Sequence, residues 1–144
     1  MLAQLSVLLI DENEDERELY AAGLPGYGFR VRCLPSLYGL EQAVEEGRPD
    51  TILMNLRLGD DETWARLLGL QFGASVNVPG VLLTGSIRSD AANRIRAMAN
   101  GCAAFVVKPC APDTLASILR AVVSGERGMV IMRPEEFSAE AGQG

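Results

Sequence analysis

The chain has 144 residues, enough for one domain with a buried core, and 48% of them are apolar, which excludes a disordered chain. Its formal net charge of −6 has the wrong sign for non-specific binding to nucleic acid phosphates. It has no histidine, which excludes Ser-His-Asp and Cys-His catalysis, the commonest zinc sites and a phosphohistidine carrier.

The opening residues, MLAQLSVLLIDENEDE, carry no basic segment and meet carboxylates at once, so they do not read as a secretory signal. SVLLI, Ser6–Ile10, is a short continuous apolar run of the kind found in a strand buried on both faces. The acids of NEDEREL fit the first turn of a helix, where the helix dipole favours them. That helix is expected to reach about Leu24, where GLPGYG breaks it. FRVRCL, Phe29–Leu34, alternates apolar and basic residues as a strand nearer the sheet edge does. Ser36 is a candidate cap for a second helix that Gly47 stops.

TILMN, Thr51–Asn55, predicts a third buried strand, and residues Trp64 to Phe72 show helical spacing. GVLLTG follows Pro79 as a fourth strand, and Asp90 to Asn100 reads as a fourth helix stopped by Gly101. AAFVV, Ala103–Val107, is the fifth strand. Pro112, Asp113 and Thr114 open a fifth helix that ends near Gly125. Five strands alternating with five helices predict a parallel sheet covered on both faces. The domain is placed at residues 1–125, followed by a tail at 126–144 that is expected to be partly disordered. Within the tail, MVIM, Met129–Met132, reads as an extra strand or a partner contact. The three cysteines, Cys33, Cys102 and Cys110, lack CxxC spacing and read as free thiols of a reducing compartment. No apolar run approaches the ~20 residues of a membrane span, and a cytoplasmic location is expected.

Ligands of an open parallel sheet sit beyond the carboxyl ends of its strands. Those ends carry Asp11 and Glu12, then Asn55, then Thr84, then Lys108 followed by Pro109. Two carboxylates, an amide, a hydroxyl and an ammonium are thus expected to converge. With the stretches IDE, PDTILMN, LLTG and GCAAFVVKP, they make the chain resemble the receiver domain of two-component response regulators from about Val7 to Val123.

The resemblance implies a flavodoxin-like (βα)5 doubly wound α/β fold with strand order 2-1-3-4-5, similar to CheY. It implies a signalling domain, not an enzyme, that accepts a phosphoryl group on a strand-3 aspartate. Asp11, Glu12 and the backbone carbonyl of Arg57 would hold Mg2+; Thr84 and Lys108 would contact the phosphoryl oxygens; Phe105 would be the switch aromatic. Partners would be a histidine kinase or a downstream effector, with no membrane and no direct nucleic acid contact. The face expected to meet them comprises helix 4, strand 5 and helix 5, with Arg94, Ile95, Arg96 and Met98 above Phe105. A homodimer through the same face is a further expectation.

This sequence departs from the family at the acceptor, where Asn55 stands. An amide cannot form the acyl phosphate, and it leaves two carboxylates for Mg2+ where the family has three, so the metal is expected to bind weakly or not at all. Gly59 and Thr63 replace residues usual in the following loop, where Asp60 and Asp61 offer other carboxylates. The expectation is a pseudo-receiver that signals by protein–protein interaction. Its alternatives are a phosphorylated receiver carrying an introduced Asp-to-Asn change, or a sensor of a small molecule or anion. A flavin enzyme of this fold would need a Gly-rich loop where DENEDE stands. About twenty residues follow the fifth helix, too few for a DNA-binding domain, so the chain reads as a stand-alone regulator or the N-terminal part of a longer one.

Overall fold

A computed structural model describes residues 4–55, 78–84, 94–95, 98–99 and 101–137. Strand β1 (Leu5–Asp11) leads into helix α1 (Glu14–Gly23) and a 3-10 turn (Leu24–Tyr27). Then come β2 (Phe29–Leu34), α2 (Leu40–Gly47), β3 (Thr51–Asn55), β4 (Gly80–Thr84) and β5 (Ala104–Val107). Helix α3 (Pro112–Val123), β6 (Met129–Ile131) and a second 3-10 turn (Pro134–Glu136) complete the described chain.

All the strand pairs are parallel, and the sheet order is β2-β1-β3-β4-β5-β6. This is the flavodoxin-like arrangement with one strand more than expected. The sixth is the MVIM segment: Met129, Val130 and Ile131 pair with Ala104, Phe105 and Val106. Helix α3 makes the crossover that a parallel neighbour requires.

Alternate residues along each strand enter two separate cores. Val7, Leu9, Leu53, Val81, Leu83 and Val106 pack with Tyr20 and Leu24 and with Leu115, Ile118, Leu119 and Val122 of α3. Leu8, Ile10, Ile52, Met54, Leu82, Phe105 and Val107 pack with Leu40, Ala43 and Val44 of α2. With α1 and α3 on one face and α2 on the other, both sides of the central strands are dry. That explains their unbroken apolar runs.

Some boundaries differ from those expected. Ser36 does not cap α2; its Oγ accepts from the N–H of Tyr38 in the preceding turn. The helix starts four residues later, at Leu40, after Gly39 at φ 79°. Glycine takes that left-handed conformation without strain, and the helix it opens buries Leu40, Ala43 and Val44 against the sheet. The helix expected from Trp64 to Phe72 lies outside the described residues. Of that expected from Asp90 to Asn100, residues 94–95 and 98–99 are described, and they are helical. No helix among the described residues is long and apolar enough to cross a membrane.

Candidate functional site

The strand order reverses around β1, which has β2 on one side and β3 on the other. A crevice opens at the carboxyl ends of such strands. The last residue pair of β1 and β3 is Asp11 with Asn55, and both side chains are buried. On the far side of β4, Lys108 follows the last residue of β5, with a cis peptide to Pro109.

Lys108 Nζ donates to Asn55 Oδ1 at 2.9 Å and to both carboxylate oxygens of Glu16, at 3.1 and 2.9 Å. An ammonium has three N–H groups, and these are three acceptors for them. Asn55 Nδ2 donates to Asp11 Oδ2 at 2.8 Å and also to Glu16 Oε2. The orientation of this amide follows from its partners: lysine only donates and ionised carboxylates only accept, so the oxygen must face Lys108. Asp11 Oδ1 accepts the N–H of Asn13 at 2.9 Å, and its backbone carbonyl accepts from Arg17.

Glu16 is the functional side chain that sequence reasoning missed. It lies in the first turn of α1, where its backbone N–H donates to the cap residue Asn13 at 3.0 Å. In a reciprocal capping box its carboxylate would turn back onto the N–H of the cap. Here that N–H is committed to Asp11, and the Glu16 carboxylate reaches into the crevice instead. Burial alone would raise its pKa. Hydrogen bonds from Lys108 and Asn55, with the charge of Lys108, outweigh that and hold it below the ordinary value. The sequence did hold a signal. A helical side chain leans toward the N-terminus, so a first-turn glutamate after β1 points at the strand ends.

The other expected residues are placed as follows. Glu12 lies at the surface next to Asp11. Thr84 ends β4, paired with Val107, but its side chain lies outside the described residues, as do Arg57, Asp60, Asp61 and Arg96. Phe105 is wholly buried against the α2-side core, so it offers no surface to a partner. Of the residues expected on the partner face, Met98 packs on that core, whereas Ile95 is 66% exposed. Arg94 is half-buried and reaches Met132 Sδ at 3.9 Å. Strand β6 occupies the outer edge of β5.

The donor set expected for Mg2+ is Asp11, Glu12 and the Arg57 carbonyl, the last of which lies outside the described residues. Among the described residues, no group of three or more His, Cys, Asp or Glu is placed to hold a metal ion. Both Asp11 oxygens face N–H donors, one of them the Asn55 amide. That chemistry suits a carboxylate held by hydrogen bonds better than a hard cation.

The family description "response regulator receiver domain" matches residues 7–120. Two curated relatives are similar over 119 residues. One is the uncharacterized transcriptional regulatory protein YvcP of Bacillus subtilis, 25% identical over 81% of this chain and 48% of its own. The other is the transcriptional regulatory protein GltR of Pseudomonas aeruginosa, 26% identical over 82% of this chain and 48% of its own. The chain thus spans about half the length of the curated relatives it matches. A response regulator from Thermotoga maritima superposes with a TM-score of 0.72 at 16% identity, covering 86% of this chain and 100% of that one, which speaks for the fold alone.

Proposed function

Because the chain belongs to the response regulator receiver domain family, we propose that it is a two-component signalling receiver that works without being phosphorylated, by binding a protein partner. The observation that carries this reading is Asn55. The residue at the acceptor position has an amide in place of a nucleophilic oxygen, and both of its ends are already engaged, Oδ1 by Lys108 and Nδ2 by Asp11 and Glu16. In phosphoryl transfer the protein contributes position and charge, and the attacking oxygen must come from the acceptor itself. Mg2+ binding is weak in this reading; Asp11, Glu12 and the Arg57 carbonyl would hold the ion, which would supply charge neutralisation. The partner is a histidine kinase or a downstream effector. Since two relatives are transcriptional regulatory proteins, an effector in gene control is the first to test.

Incubation with acetyl phosphate and Mg2+, followed by intact mass measurement, is the direct test. The expected mass is unchanged. A phosphoryl adduct on the protein as it stands overturns the reading. The competing idea of an introduced Asp-to-Asn change is decided by the genomic codon at position 55. An anion-sensing role has less support than the sequence alone suggested, because the Lys108 ammonium already holds a carboxylate of its own chain.

A further inference from the structure

Lys108 is the only lysine in the 144 residues; every other basic side chain is an arginine. It lies beside the carboxyl ends of β1 and β3, within hydrogen-bond reach of Asn55. Its ammonium donates to Asn55 at the end of β3, but its anionic partner does not come from β3. It is Glu16, brought from α1, with Lys108 Nζ 2.9 Å from Glu16 Oε2. Two further contacts follow on the same face of α1. Tyr20, one turn on, donates its hydroxyl to the backbone carbonyl of Cys110 at 3.0 Å. Gly23, three residues later, lies so near α3 that a Cβ there would meet Pro112 Cβ and Cγ at 2.8 Å. Glu16, Tyr20 and Gly23 recur at helical spacing. They face Lys108, Cys110 and Pro112, the segment that leads from β5 into α3.

We propose that Glu16 is the resident counter-anion of Lys108, doing from α1 what an anionic side chain on β3 does in a phosphorylatable receiver, and so holding the lysine-bearing segment against α1 whatever the phosphate supply. This inference rests on the reading of the chain as a phosphorylation-independent receiver and adds the residue responsible. It has a specific consequence: restoring the acceptor does not by itself restore phosphorylation. An Asn55→Asp variant gains a nucleophile, but Lys108 remains bound to Glu16. The new carboxylate also stands where an amide was donating to Asp11 and Glu16, so it meets two like charges instead. Neutralising Glu16 releases Lys108 toward the incoming phosphoryl group.

The experiment compares the wild type, Asn55→Asp and the double variant Asn55→Asp/Glu16→Gln with acetyl phosphate and Mg2+, read by intact mass over time. The introduced carboxylate oxygen attacks phosphorus, the P–O bond to the acetyl group breaks, and acetate leaves with the electron pair. The double variant is expected to gain the adduct at least about tenfold faster than Asn55→Asp. Equal rates for the two overturn the role of Glu16 and leave the functional reading intact; an adduct on the wild type overturns the functional reading itself.

A second readout needs no phosphorylation and uses the single lysine. An amine-acylating reagent, followed by peptide mapping, reports Lys108 separately from the α-amino group. Glu16→Gln is expected to raise the acylation rate of Lys108 at least about fivefold by releasing its nitrogen. Glutamine keeps the size of the side chain, so a space-filling role leaves that rate unchanged, and an unchanged rate overturns the proposal.

Discussion

Asn55 is an amide with a lysine on one end and two carboxylates on the other, and hydrogen-bond chemistry allows it one orientation. Glu16 bonds both Lys108 and Asn55 in that cluster. Its carboxyl is held below its ordinary value of 4.5. A carboxylate depressed by folding adds stability that is complete above the unfolded value and is lost as pH falls through the folded one. The wild type should therefore lose stability more steeply below pH 4.5 than Glu16→Gln does. Urea melts of the two between neutral pH and acid check this, and parallel curves would refute it. The pair is partly exposed, so Glu16→Gln is expected to fold normally at neutral pH. Asp11, Asn55 and Lys108 were legible in the sequence because each closes or directly follows a strand, and strand ends converge in a parallel sheet. Glu16 was not. Acids in a first helical turn are so often there for the dipole that the run NEDE hid a member with a different task.

At the scale of elements, α1 meets the β5–α3 segment along one stripe, and each contact has its own cost. Gly23→Ala puts a methyl group 2.8 Å from Pro112, a contact that something must yield to relieve. We expect a loss of about 1–3 kcal/mol, read as a lower denaturant midpoint at unchanged slope. Tyr20→Phe removes the donor for the Cys110 carbonyl and should cost about 1 kcal/mol. If neither variant moves the midpoint, α1 and α3 are not closely packed here. The element boundaries show where local signals mislead. Ser36 has the chemistry of a cap, but the apolar stripe of α2 begins only at Leu40, and burial of that stripe decided the start. Pro112 and the acids of α1 predicted their helix starts correctly, since Asn13 caps α1 and Pro112 opens α3 at a position where its missing N–H costs nothing.

For the whole molecule, the alternation of continuous apolar strands with helices sufficed to predict a parallel sheet with both faces covered. The order of the first five strands came from the resemblance. What stayed open was β6, offered as an extra strand or a partner contact, because three residues after a Gly-rich turn carry too little pattern to separate the two. Its position makes a difference to the outline of the protein. It covers the outer rim of β5, and just beyond it Arg94 reaches Met132 Sδ.

Each outermost strand of the sheet bears on how the protein behaves at high concentration. Bare strand edges recruit other chains, and natural sheets guard them with short strands and charge. At one rim, β2 exposes Arg30 and Arg32. At the other, the three residues of β6 are followed closely by Arg133, Glu135 and Glu136. A protein shortened to end at Gly125 loses that second guard and presents Ala104–Val107, which is wholly apolar, as its outer strand. It should express largely as insoluble material, and its soluble fraction should elute from a sizing column as higher assemblies. A monodisperse monomer from the same truncation would mean that β5 needs no cover.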